Sequence, residues 1–216
     1  MLAAATLTAC LVLAGCSGSD DPDIQSPDEP ASQPSESTSQ PSIGFEAPRA
    51  MIHDDGSLTV QGVHVPVPRL WRWQETFTTT RSANYSIPGE GDQQQAEFVV
   101  SAFPEGLGGA INDNVERFRR QFLKPDLDEY PDAITETLSV NGMTVTTVDL
   151  SGRYAAPGLN WYADDQRMLT ALIEGPRGLV VLRANGPADT MESNAASFHR
   201  MIAGLKPQSS DGDQRP

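Results

Sequence analysis

Only two cysteines occur in this chain, Cys10 and Cys16. Beyond Cys16 there is no thiol, which excludes disulfides, thiolate nucleophiles and sulfur-ligated metals from the rest of the chain. Positive charge is also scarce: 15 Lys and Arg face 29 Asp and Glu, for a net charge of −14. That balance argues against nucleic acid and anionic lipid surfaces as partners. The three histidines, His53, His64 and His199, are scattered, and neither an HExxH nor a CxxC spacing occurs. No metal and no cofactor is therefore expected. A Gly-x-Ser-x-Gly elbow is missing too, so no catalytic residue is assigned and no enzyme is expected. Paired carboxylates of the glycosidase kind stay open, because their spacing exists only in three dimensions. Apolar runs of the about 20 residues that a membrane-spanning helix needs are absent.

What is there begins with residues 1–15, which are apolar or small apart from Thr6 and Thr8. This length suits the core of a signal peptide. It ends in Leu13-Ala14-Gly15-Cys16, which resembles a bacterial lipoprotein signal. In such a signal the cysteine thiol takes a diacylglyceryl group and becomes the mature N-terminus. Cys16 is thus the expected lipidation site, and lipid the expected link to a membrane. The positive residues that normally open a signal peptide are missing, which is consistent with a true start upstream of Met1. The competing readings are an ordinary secretory signal with a chance cysteine, or a trimmed core helix.

From Ser17 to about Pro48 the composition turns to Ser, Pro, Gln and acid, with seven Asp and Glu and no Lys or Arg. Too little apolar surface is present to offset ordering, so residues 16–48 are expected to form a disordered acidic tether. Residues 208–216 read as a frayed tail. Between them, residues 49–207 suffice for one globular domain with one core.

Within that domain Val63, Val65 and Val67 alternate with His64 and Pro66, a strand pattern. Residues 81–88 and 96–103 read as two further strands. A glycine-rich loop, 104–109, precedes a helix expected to run to about Lys124 and to stop at Pro125. Its apolar stripe is Ile111, Val115, Phe118 and Phe122. Residues 134–140 and 143–150 flank Asn141-Gly142, the strongest short hairpin signal. Residues 152–166 read as irregular. Residues 167–174 and 179–184 flank a second turn, and Asn185-Gly186-Pro187 is expected to break the last strand. Asp189 and Glu192 fit an N-cap pair. A final helix then buries Met191, Ala195, Phe198, Ile202 and Leu205. The fold class is α+β: a largely antiparallel sheet of about six to seven strands flanked by two main helices.

Several stretches carry a family resemblance. They are Gly106-Leu107-Gly108-Gly109 with Asn114 to Phe118 and Gln121-Phe122, then Arg167-Met168-Leu169 through Ile173-Glu174-Gly175-Pro176, then Asn185-Gly186-Pro187 and Phe198. With Trp71 and Arg81-Ser82-Ala83 they resemble exported proteins and lipoproteins of the PsbP-like superfamily. The resemblance spans most of residues 58–205. It implies an α/β/α sandwich and a non-enzymatic role, since the known relatives act by docking to other proteins.

Four features are candidate sites. Trp71, Arg72 and Trp73 form an aromatic and arginine patch suited to protein docking; the alternative is that Trp71 anchors the core. The acidic loop Asp126, Asp128, Glu129 and Asp132 could hold Ca²⁺, but it lacks the EF-hand ladder of ligands. Gly106 to Gly109 before a helix could bind an anion; the alternative is a turn. The histidines read as surface or supporting residues. The expected function is a lipid-anchored protein-interaction or assembly module facing the periplasm, with an envelope protein as partner. Ser17 suits sorting to the outer membrane, with the inner membrane as the other possibility. The alternative function is a small-molecule or ion-binding periplasmic lipoprotein, which needs a pocket with converging polar groups between sheet and helices.

Overall fold

The computed structural model describes residues 45–76, 78–155 and 162–208. Cys16, the signal-like run and most of the acidic segment lie outside the described residues. Among the described residues twelve strands and two helices follow one another: β1 (Met51–Ile52), β2 (Leu58–Val60), β3 (Val63–Val65), β4 (Arg72–Gln74), β5 (Ala83–Ile87), β6 (Ala96–Pro104), α1 (Ile111–Arg119), β7 (Phe122–Leu123), β8 (Ile134–Val140), β9 (Met143–Tyr154), β10 (Ala163–Gly175), β11 (Gly178–Pro187), α2 (Ala188–Ala203) and β12 (Lys206–Pro207). The class is α+β, and every strand pairing is antiparallel.

The main sheet has eight strands in the order β4-β5-β6-β11-β10-β9-β7, with β8 also on β9. Its long strands alternate residue by residue between two buried faces. Phe98, Val100, Ala102, Leu169, Ala171, Ile173, Val180, Leu182 and Ala184 point to the first face. There they meet Met191, Phe198 and Ile202 of α2, a 16-residue helix. Met168, Leu172, Leu179, Val181, Val148 and Leu150 point to the second face, where Phe118 of α1 covers them. One helix per face is the minimum that buries a sheet apolar on both sides.

The sheet holds more strands than expected, and a second sheet was unforeseen. Four short strands form it, in the order β1-β2-β3-β12. The alternating valines of β3 thus pair with β2 and with the chain end rather than with the main sheet. The body also starts earlier than the expected boundary at residue 49. Phe45 stacks on Phe103 with centroids 5.2 Å apart, and Ala47 is 2% exposed.

Four further expectations are corrected. First, α1 ends at Arg119 rather than near Lys124, because Phe122 and Leu123 leave the helix to pair with Tyr154 and Arg153 of β9. Gly152 makes this approach possible: at φ +148°, a Cβ there would lie 2.3 Å from the Leu123 carbonyl oxygen. Phe122 reaches the core from that strand and packs against Tyr154 at 5.0 Å.

Second, residues 152–154 and 163–166 are strand rather than irregular chain. Third, Asn185-Gly186-Pro187 continues β11, each residue paired with β10. A Cβ on Gly186 would come within 2.4 Å of the Ala96 Cβ, so glycine serves close packing here rather than a break. Fourth, α2 begins one residue after Pro187 with no side-chain cap, and Glu192 pairs with Arg167 instead of capping. The Asn141-Gly142 hairpin and the 175–178 turn are as expected, with Val140 opposite Met143 and Gly175 opposite Gly178.

Candidate functional site

On its second face the main sheet is wider than its helix. α1 lies over the β9 and β10 side, so the face of β5, β6 and β11 beside it stays open. The result is a cleft of about 800 Å³ between α1 and the sheet. Its size falls in the range of small-molecule sites.

Each wall follows from local structure. Strand parity sends Val99, Ser101 and Phe103 of β6 and Val181 and Arg183 of β11 into the cleft. α1 and its C-terminal turn contribute Arg117, Phe118, Arg120 and Gln121. The segment before β1 brings Phe45, and the turn before β5 brings Arg81.

Four arginines, Arg81, Arg117, Arg120 and Arg183, therefore line one cleft, and among the described residues no Asp or Glu lines it. Two of them are compensated nearby. Arg81 is ion-paired with Glu97 of the neighbouring strand, and Arg120 lies 4.0 Å from Glu116. Arg183 has no ion pair among the described residues. Arg117 donates to the neutral Asn114 Oδ1 at 2.6 Å. Burial pulls the Arg117 guanidinium below its ordinary value, and the positive charge of Arg183 adds to the effect. The two cations are thus close enough to oppose each other.

Unspent polar capacity accompanies this charge. Gln121 is 9% exposed; its Nε2 donates to the Arg117 carbonyl at 3.3 Å, and its Oε1 has no partner among the described residues. Thr170, opposite Arg183 on β10, is fully buried with an unpartnered hydroxyl. Asn84 on β5 and Asn185 on β11 also keep an unpartnered Oδ1. Orphaned buried polar atoms are uncommon, and of these Gln121 lines the cleft.

The docking trio is divided. Trp71 is 4% exposed, packs on Phe98 at 4.9 Å and donates its indole N–H to Asn194 Oδ1 of α2 at 3.1 Å. It is a core side chain. Trp73, 55% exposed, and the exposed Arg72 sit on β4, an edge strand. Leu70, Met51 and Ile52 are also exposed. Burial pushes the Tyr85 phenol opposite Trp73 up to about 12, and its hydroxyl has no partner among the described residues.

The other candidates are placed as follows. His53 and His64 come together, rings 5.9 Å apart, with His53 Nε2 2.8 Å from Thr59 Oγ1. Burial and then the charge of His53 lower the His64 pKa. His199 is exposed on α2. The acidic loop is closed by Lys124, whose ammonium lies 3.2 Å from Glu129. Among the described residues no three His, Cys, Asp or Glu side chains converge. The loop at 106–109 borders a cleft of about 460 Å³ whose lining includes Glu105 and Glu174, two charges that oppose an anion. Asn114 spends its amide on that loop, donating to the Gly108 and Ala110 carbonyls at 2.9 Å. Among the described residues no helix is long and apolar enough to cross a membrane.

Sequence reasoning passed over Arg117, Gln121 and Arg183. One signal was present: Arg183 stands among Leu179, Val180, Val181, Leu182 and Ala184, a charge inside an apolar central strand.

No family model and no curated protein matches the chain. Among solved structures it is similar to a protein of unknown function from Pseudomonas aeruginosa, with 14% identity and a TM-score of 0.43, covering 75% of this chain and 99% of that one. It is also similar to the solution structure of a cyanobacterial PsbP from Synechocystis, with 10% identity and a TM-score of 0.48, covering 78% of this chain and 97% of that one. Neither likeness places the chain in a family. Neither likeness argues for a shared activity.

Proposed function

We propose that this chain is a lipid-anchored envelope protein that works by binding, and that the cleft beside α1 is its binding site. The observation that carries the binding role is the union of an open cleft with two uncompensated guanidiniums, Arg117 and Arg183, and a buried Gln121 with an unspent acceptor. A core assembled only for stability would fill such a space with apolar side chains. Of the two functions expected from sequence, the small-molecule-binding lipoprotein fits this geometry better. The membrane half of the proposal rests on Leu13-Ala14-Gly15-Cys16. It places the domain in the periplasm, with the outer membrane favoured by Ser17. The lipoprotein branch of the PsbP-like superfamily is the grouping this reading implies.

A protein-docking role is favoured by a separate observation, the exposed edge with Trp73, Leu70 and Met51. Pull-down with the wild-type chain and with Trp73→Ala separates the two readings, because the cleft lies on the opposite sheet face.

Fractionation of cells expressing wild-type or Cys16→Ser chain tests the anchor. Wild type is expected in the membrane fraction and the variant in the soluble fraction; unchanged partitioning overturns lipid attachment at Cys16. The cleft is tested by Ser101→Trp, which fills it from the sheet side at a half-buried position. Loss of ligand-induced stabilisation in that variant is the expected result.

A further inference from the structure

We infer that the cleft takes an amphipathic organic anion, with its carboxylate or phosphate between Arg117 and Arg183 and its apolar body along Phe45 and Phe103. This inference rests on the reading of the cleft as a binding site and adds the class of ligand.

Charge carries the first half. The chain is strongly acidic, yet four of its 15 Lys and Arg residues converge here with no lining carboxylate among the described residues. Guanidiniums oppose one another unless an anion lies between them. Arg183 cannot escape by reaching past a sheet edge, because β11 is a central strand between β6 and β10. Its neighbours across the strands are Val99 and Thr170, neither able to neutralise it. Guanidinium forks match the oxygen pairs of carboxylates and phosphates, and do so best where water is thin.

Apolar surface carries the second half. Phe45 and Phe103 stack nearly parallel, 14° apart, over a floor of Phe118, Val99 and Val181 that is already buried. The half-buried Phe45–Phe103 stack is the apolar surface that a bare inorganic ion would leave wet. About 800 Å³ accommodates a headgroup and a chain or ring beside it. The same chemistry belongs to a free amphiphile or to an anionic membrane lipid.

Isothermal titration of the full chain carrying Cys16→Ser, which keeps detergent out of the sample, tests the inference. The probes are decyl phosphate, decanoate, inorganic phosphate and the uncharged decyl maltoside. Decyl phosphate and decanoate are expected to bind, with inorganic phosphate and decyl maltoside each at least about tenfold weaker. Arg183→Gln and Arg117→Gln are each expected to weaken decyl phosphate by roughly tenfold to a hundredfold. Arg117 stands on α1 at the cleft and outside the central strands, so Arg117→Gln carries the test if Arg183→Gln does not fold.

Decyl maltoside binding as tightly as decyl phosphate, with both arginine variants unchanged, overturns the anion while leaving the cleft as a binding site. Inorganic phosphate binding as tightly as decyl phosphate overturns the apolar half. No binding of any probe overturns both this inference and the reading beneath it. Sedimentation with phosphatidylglycerol vesicles separates the sources. Arg183-dependent co-sedimentation supports a lipid headgroup, and free-amphiphile binding without it supports a soluble anion.

Discussion

Replacing Trp71 by Ala removes a side chain that is 4% exposed and packs against Phe98 at 4.9 Å. Truncating a buried aromatic residue to Ala costs about 3–5 kcal/mol. The indole N–H also leaves Asn194 Oδ1, which it reaches at 3.1 Å from β4's approach to α2. Losing that bond adds about 1 kcal/mol. Asn194 keeps its donations to the Pro88 and Thr190 carbonyls, so α2 stays in register. Two clefts border Trp71, and water entering through them relieves part of the cavity. A net loss of about 4 kcal/mol is therefore expected, against a total stability of about 5–15 kcal/mol for a domain. At this size each kcal/mol moves the midpoint by about 2–4 °C, which gives a drop of about 8–16 °C. Trp73→Ala, on an exposed edge, stays within about 0.5 kcal/mol. Thermal unfolding followed by far-UV circular dichroism measures both, free of the change in tryptophan fluorescence. A Trp73→Ala loss equal to that of Trp71→Ala refutes the division of the pair into core and edge.

Gly186→Val drives a branched side chain into Ala96, where even a Cβ would sit at 2.4 Å; a loss of about 1–3 kcal/mol in urea unfolding is expected. Arg167→Ala leaves Asp149, otherwise bound by two bonds of 2.7 and 3.0 Å, without its partner. Arg167 is 19% and Asp149 27% exposed, so screening limits the loss to about 1–2 kcal/mol in the same assay. His64, whose folded pKa is depressed by burial and by His53, contributes stability above its unfolded value of 6.5 that is lost as pH falls through its folded value. The wild-type midpoint should therefore fall more steeply than that of His64→Gln below pH 6.5; parallel curves contradict the assignment.

Where local chemistry decided the backbone, the sequence was legible. Asn141-Gly142 marked its hairpin, and the stripe from Met191 to Ile202 marked α2 and its buried side, while Leu205 is buried just past the helix end. Legibility failed where a distant strand overrode a local pattern. Phe122 is in phase with Phe118 and reads as the next turn of α1, yet Gly152 opens a notch in β9 that draws it into a strand. Asn185-Gly186-Pro187 has the composition of a break, but Ala96 needs the missing side chain more than the chain needs a turn. The small sheet escaped notice because its strands are two or three residues long, too short for a period to register. The cleft was hidden differently. Arg81, Arg117 and Arg183 stand far apart in sequence, and only the strand order β5-β6-β11 with α1 alongside brings them together. Trp71 and Trp73 show the limit of spacing alone, since Trp71 precedes β4 and turns inward.

Phe45 gives the cleft a mechanical side. The chain enters the domain along the cleft wall, held by the Phe45–Phe103 stack, by the Ala47 amide on the Thr79 carbonyl at 2.7 Å and by the Ala50 amide on the Ser82 carbonyl at 3.1 Å. Tension on the residues before Phe45 is borne first by those few contacts, and it peels them one after another. Cargo lodged against the stack wedges the same seam shut. Filling the cleft should therefore slow deuterium uptake at the Ala47 and Ala50 amides.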